Sequence, residues 1–315
     1  MKKQQWVQQG KQALGNAACD PHKLFLIHTA VSVGAVLVVV LINYLLGGQI
    51  EASGGLGSMG TRSILQTVQL VLSEVVSLLL PLWELGAIFI AIRIFRGENA
   101  EIADLSVGFR RLWTVVRTLL LEMAVYLVVS MAIVYALSIA YALTPFGKDL
   151  MELMEGYMQI TTEEELMALM QDEAFYEAMM QAMLPVLIVS GFVAAGACGF
   201  VSYAIRLMRY VVLDQNFGPW QALKWSIGHT NGAKKKLFKL DLHFWWYYAL
   251  QVALTLVLYV PELSAYLGLQ LPLDADTAYW LCYGLYAAGQ VALLSLARPQ
   301  VEVAFAAAYD ALKAE

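Results

Sequence analysis

Six apolar runs, each about as long as a hydrocarbon core is thick, divide this chain. They are Leu24–Leu46, Val71–Ile92, Thr118–Leu143, Leu184–Ile205, Leu240–Tyr259 and Thr277–Leu296. A core of ~30 Å takes roughly 20 helical residues to cross, so each run is long enough to span a bilayer. The gaps leave no room for a large soluble domain, and the 315 residues are expected to form a single membrane domain, 1–315. Charge follows the same division. Of the 20 Lys and Arg residues, only Arg62 and Lys148 fall in the first, third and fifth gaps; the others occupy the two ends and the second and fourth gaps. This asymmetry obeys the positive-inside rule and predicts that both termini are cytoplasmic. The net charge of −5 therefore combines two faces of opposite sign. The expected fold class is an all-α integral membrane protein with six transmembrane helices.

The cytoplasmic side reads as amphipathic stretches rich in basic residues. Trp6–Lys23 precedes the first run, and Ile102–Arg117 precedes the third, with Leu105, Phe109, Leu112 and Trp113 near helical spacing. Pro219–Lys239 precedes the fifth, and Val301–Leu312 has the same character, with Val301, Phe305, Ala308, Tyr309 and Leu312 on one side. Such helices lie in the interface with an apolar face buried and Lys or Arg against headgroups. Arg93, Arg96, Arg110, Arg111, Lys234, Lys235, Lys236 and Lys239 are the expected lipid- or partner-facing residues. Each cation near an anionic inner leaflet contributes about 1 kcal/mol of attraction. The expected partners are the bilayer with its anionic inner-leaflet lipids, and an envelope protein or a second copy of this chain. Nucleic acid is not among them.

The external side differs. Residues 147–183 carry eight Met and nine Asp or Glu residues, with Leu and Met at helical spacing. Thr162 and Glu165 fit a capping box, so an acidic helical hairpin is expected there. Its methionines are read as adaptable packing rather than soft-metal ligands. Gly55, Gly57 and Gly60 match a bare G-x-G-x-x-G spacing, but no strand precedes them and no acidic residue follows at the required distance. Small residues recur every fourth position at Gly191, Ala195 and Gly199, and again at Gly284, Ala288 and Ala292, which predicts close helix contacts.

Chemistry-bearing residues inside the runs are few. Glu84, in Pro81-Leu82-Trp83-Glu84-Leu85-Gly86, is the foremost intramembrane polar candidate. A charge near the bilayer centre costs about 2.5–3.5 kcal/mol on insertion scales and so faces a partner or a cavity. Pro81 removes a backbone donor, and Gly86 permits close approach. Asp241 beside Lys239 reads as an interfacial network, and His28 as a hydrogen-bonded packing residue. Asp214, His229 and Asp241 are the only candidates for headgroup chemistry on the inner side. The four histidines show no H-x-x-x-H or H-E-x-x-H spacing, so no metal site is expected. Neither G-x-S-x-G nor a Walker A element occurs, so a serine nucleophile is unsupported, and no cofactor is expected. Cys19, Cys198 and Cys282 form no framework of disulfides. These observations favour a non-enzymatic role in engaging lipid headgroups or an envelope partner. The alternative is a small-solute or lipid transporter using Glu84, which would require a polar path to Glu84 flanked by broken helices.

Three segments in order give the chain a resemblance to a family. They are Pro81-Leu82-Trp83-Glu84-Leu85-Gly86; Arg96-Gly97-Glu98 with Asp104-Leu105 and Gly108-Phe109; and Tyr210 through Asp214, Ala222-Leu223, Ser226, Gly232, Lys235 and Leu240-Asp241-Leu242. Together with Val301 to Leu312 they resemble an uncharacterised bacterial integral-membrane family, domain of unknown function 975. That family is related in pattern to the membrane region attached to some glycerophosphodiester phosphodiesterases. Ser106 and the stretch Asn216-Phe217-Gly218-Pro219 depart from the pattern. The resemblance implies a six-span protein of the bacterial inner membrane and supplies no catalytic residues.

Overall fold

The computed structural model describes residues 4–52, 59–145, 147, 148, 151, 155, 173–267 and 273–314, and among these no strand occurs. The helices are α1 (Gln4–Gly15), α2 (Pro21–Ala52), α3 (Met59–Phe95), a 3-10 turn (Ile102–Ser106), α4 (Val107–Arg110), α5 (Leu112–Ala142) and α6 (Glu173–Ile205). They continue as α7 (Met208–Gln215), α8 (Pro219–Thr230), α9 (Lys234–His243), α10 (Trp245–Val257), α11 (Val260–Tyr266), α12 (Ala275–Leu296) and α13 (Arg298–Lys313). The chain divides into two compact units, one of residues 1–118 with 206–315 and one of 119–205.

Four described helical stretches, within α2, α3, α5 and α6–α7, are long and apolar enough to cross a membrane. At 1.5 Å per residue, the 31 residues of α5 reach about 46 Å, well beyond a ~30 Å hydrocarbon core. The apolar side chains of α5 and α6 point outward: Tyr135 is 71 % and Phe192 77 % exposed. Apolar surface this continuous needs a hydrocarbon solvent rather than water. The fifth and sixth runs are organised differently from a pair of straight spans. The fifth is divided at Phe244, whose N–H donates to the Asp241 carbonyl, leaving 13 residues in α10. The sixth, α12, turns by 41° into α13, and this bent pair adds up to a fifth candidate span.

The core of the first unit is built on α13. Residues 303–309, on every side of that helix, are buried, so it is a central element rather than the one-sided interfacial helix its sequence suggests. Helix α1 lies against it, with Gly10 so close that an added Cβ would sit 3.1 Å from the Ala304 nitrogen. The stretch 102–117 likewise departs from a single amphipathic helix. Leu105 is fully buried against α3, while Phe109, Leu112 and Trp113 are exposed and the last two belong to α5.

Helix α3 runs unbroken through Pro81 and ends in a Schellman cap: Gly97, at φ 72°, donates to Ile94, and Glu98 donates to Arg93. One turn of α3 meets the 105–108 segment backbone to backbone. A Cβ on Gly86 would collide with the Leu105 backbone, and one on Gly108 with the Leu82 carbonyl. The close approach expected at Gly86 is present. The two small-residue ladders behave otherwise, since added Cβ atoms at Gly191, Gly199 and Gly284 meet nothing within 4 Å. In α12 the crowded glycine is Gly289, which faces Leu254. Helix α6 is continuous from Glu173 through Pro185 to Ile205, so the last part of the expected hairpin runs on into the fourth run. The rest of that hairpin, apart from residues 147, 148, 151 and 155, lies outside the described residues, as do Gly55 and Gly57.

Because the colliding atoms at Gly86 are backbone, Gly86→Ala is expected to destabilise by the upper end of about 1–3 kcal/mol, or more. Gly191→Ala, with open space around it, should change stability by less than about 0.5 kcal/mol. Thermal unfolding of the two variants in detergent measures the contrast, and equal losses would contradict the packing described.

Candidate functional site

Glu84 is positioned by a two-way clasp between α2 and α3. Trp83 donates its Nε1–H to the His28 carbonyl at 3.0 Å, and the His28 Nε2 lies 3.1 Å from the Trp83 carbonyl. The two rings stack at 5.5 Å with 7° between their planes. Bonded through Nε2 and fully buried, His28 is a packing residue as its place in the first run predicts, yet its Nδ1 has no hydrogen-bond partner. The clasp sets Glu84 with one oxygen 4.0 Å from His28 and the other hydrogen-bonded to Arg298 of α13.

Arg298 is the centre of the arrangement. Lying directly after the α12–α13 bend, it donates Nη2 to Glu84 and Nε to Glu302 at 3.3 Å, one turn further along α13. Tyr210 donates its hydroxyl to the other oxygen of Glu302 at 3.3 Å. Beside this group Arg206 donates to Asp241 at 3.1 Å and stacks over the Phe305 ring at 4.1 Å. Tyr248 donates to the same Asp241 oxygen at 2.6 Å, fixing the start of the divided fifth run. These residues border a cavity of about 310 Å³ whose wall includes Glu84, Arg206, Tyr247, Tyr248, Arg298 and Glu302. Its polar wall is balanced, two guanidinium groups against two carboxylates. Its partner Arg298 is nearly enclosed, while the Glu84 side chain keeps 34 % of its surface accessible.

The cations expected to face lipid are differently employed. Arg93 pairs with Asp104 at 2.5 Å and Glu98 at 3.3 Å. Arg96 forks onto two carboxylates at once, Asp214 at 2.5 and 3.0 Å and Asp310 at 2.7 and 3.0 Å. These bonds to Asp310 and Asp214 raise the Arg96 pKa above its already high ordinary value, so it stays a cation throughout any usable pH range. Asp214 also accepts from Tyr309 at 2.7 Å and Lys313 at 2.8 Å. Arg110 donates to the Ala103 carbonyl at 2.6 Å, and Arg111 to the carbonyls of Val212 and Leu213 at 3.1 and 2.9 Å. Lys234, Lys235, Lys236 and Lys239 lie on α9, where all but Lys234 are exposed. The structure thus gathers Arg93, Arg96, Arg110 and Arg111 into internal networks and leaves Lys235, Lys236 and Lys239 exposed on α9.

Arg298, Glu302 and Arg206 were not anticipated as partners of Glu84 and Asp241. The signal for Arg298 was present: it stands alone between the sixth run and the tail, four residues before Glu302. His229 stacks on Trp225 at 3.9 Å, and Asp214 and Asp241 are held by separate partners. Among the described residues no three His, Cys, Asp or Glu side chains converge as a metal site would require.

Long apolar helices with outward-facing apolar surface define a multi-pass membrane protein. Within that class, residues 25–284 match the family described as protein of unknown function (DUF975), and the chain belongs to it. No curated protein and no solved structure matches the chain. The relation in pattern to the membrane region of glycerophosphodiester phosphodiesterases finds no support in these comparisons.

Replacing Arg298 by Met strands two carboxylates at once, and is expected to cost about 3–5 kcal/mol. Glu84→Gln leaves Arg298 with Glu302 and an amide oxygen, and should cost about 1–2 kcal/mol. Unfolding midpoints of the two variants test the ranking. Arg96→Lys, which keeps the charge but not the fork, should cost about 1–3 kcal/mol by the same measurement.

Proposed function

We propose that this chain is a non-enzymatic protein of the bacterial inner membrane, with six crossings and both ends in the cytoplasm, that binds a small polar solute or lipid headgroup at Glu84. The crossing number is supported by the lengths of the helices. Trp245–Tyr266, taken across the turn between α10 and α11, covers about 33 Å if helical throughout, and α12 supplies the sixth. The orientation rests on the distribution of Lys and Arg.

The observation that carries the binding reading is the charged cavity at Glu84, lined by Tyr247 and Tyr248 just after the break at Phe244 and by Arg298 just after the bend at Ala297. Discontinuous helices with a polar cavity are how membrane proteins build binding sites below the bilayer surface, because freed backbone groups and paired charges need a lined space. A balanced wall of two arginines and two glutamates suits a molecule carrying both an acidic and an ammonium group. The reading in which the protein engages headgroups or an envelope partner at its inner face is supported by the exposed lysines of α9.

The test is mass spectrometry of small molecules and lipids retained by the protein purified into nanodiscs, compared with Glu84→Gln. The expected result is one species enriched on the wild type and reduced about tenfold or more in the variant, a loss of about 1.4 kcal/mol. Retention of only bulk-like lipid, identical in both, would remove the binding role of Glu84 and leave it a structural ion pair.

A further inference from the structure

Arg93, Arg96, Arg110 and Arg111 are engaged by the chain's own acceptors, which makes the cations that are not so engaged informative. Lys11 of α1 and Lys239 of α9 border the same hollow, of about 470 Å³, together with Gln8 and His243. Neither lysine pairs with a carboxylate among the described residues, and none of the described residues lining the hollow is acidic. Its remaining walls are Val7, Leu240 and Leu242. The hollow is fixed in place because both helices are anchored to the core: Trp6 and Gly10 join α1 to it, and Leu237 is buried beneath α9. This site is separate from the Glu84 cavity, with which it shares no lining residue.

A second observation concerns what lies next to it. Helix α9 leaves Phe238 52 % and Leu242 57 % exposed, one turn apart, and Trp245 at the head of α10 is 63 % exposed. Lys239, Leu242 and His243 are neighbours at i, i+3 and i+4, so the basic hollow and the exposed apolar strip adjoin. A basic recess edged by apolar side chains at the cytoplasmic interface is the chemistry that recognises a phosphate attached to acyl chains. The aromatic side chain of Trp245 suits the headgroup level of a bilayer.

We propose that the hollow between α1 and α9 is a binding site for an anionic phospholipid of the inner leaflet. Its phosphate lies between Lys11 and Lys239, and its acyl chains follow Phe238, Leu242 and Trp245. The two ammonium groups act as point charges on the phosphate, and Gln8 and His243 supply further hydrogen-bonding capacity to the headgroup. The inference goes beyond the Glu84 reading and uses only the inner-face orientation in common with it.

The experiment places the full chain in nanodiscs of phosphatidylcholine with a minor fraction of phosphatidylglycerol and measures the phosphatidylglycerol retained. Lys11→Gln and Lys239→Gln are each expected to lower its enrichment by about fivefold, and the double variant by more. Lys235→Gln with Lys236→Gln removes the same charge from the same helix outside the hollow. An equal fall there would overturn the site in favour of diffuse attraction. In phosphatidylcholine alone, inorganic phosphate is added as a probe; saturable binding that needs Lys11 and Lys239 and displaces phosphatidylglycerol would make a soluble phosphate the ligand and overturn the lipid. Glu84→Gln is run alongside: unchanged phosphatidylglycerol retention is expected, and its loss would assign the lipid to the Glu84 cavity instead.

Discussion

Arg298 is the residue on which the first unit depends. In a medium that cannot solvate charge, a carboxylate on α3 needs a cation, and Arg298 reaches it from the far side of the sequence while also serving Glu302 on its own helix. That double service ties α3 to α13, and through the His28–Trp83 clasp it ties α2 to the same point. Tyr210 extends the connection to α7. The bend between α12 and α13 puts the guanidinium where these elements meet. Hydrophobic burial holds α13 in the core, but the ion pairs decide its register against its neighbours.

A second level of organisation lies at the end of α3. The Schellman cap at Gly97 turns the chain directly after Arg96, so that Arg93 reaches Asp104 while Arg96 reaches Asp214 and Asp310. The segments that carry the family resemblance come together in this way. Arg96 from one, Asp214 from another and Tyr309 and Asp310 from the closing helix share one network. Gly86 and Gly108, from the first two segments, make the backbone crossing beside it.

The membrane character of the chain was legible because bilayer thickness acts on every apolar run alike. Glu84 and Gly86 stood out because a charge and a missing side chain are each costly in an apolar helix without a reason. The break at Phe244 was not read from the sequence, although Asp241 and His243 stand just before it at the head of the fifth run; what divides the run is the capping of α9 and the hold of Arg206 and Tyr248 on Asp241. Helix α13 was read as interfacial because Val301, Phe305, Ala308, Tyr309 and Leu312 share one side, with small alanines among the other positions. Its burial on all sides follows from that same smallness, which lets Gly10 and the backbone of α1 come close. The engagement of Arg96 and Arg111 was hidden for a different reason. Periodicity tells which residues share a helix face, and says nothing of the carboxylates and carbonyls a hundred or more residues away that these two reach.

The distance along the chain between Glu84 and Arg298, 214 residues, has a consequence for biogenesis. At about 5–20 residues per second, synthesis delivers the arginine roughly 10–40 s after the glutamate. The α2–α3 hairpin can therefore enter the bilayer early, with its clasp already formed, while its carboxylate waits for a partner that has not been made. An insertion cost of about 2.5–3.5 kcal/mol for one such group is tolerable in an otherwise apolar helix. Closure of the first unit is then an event set by the ribosome's schedule: the hairpin comes first, and the helix that completes its core follows more than two hundred residues later.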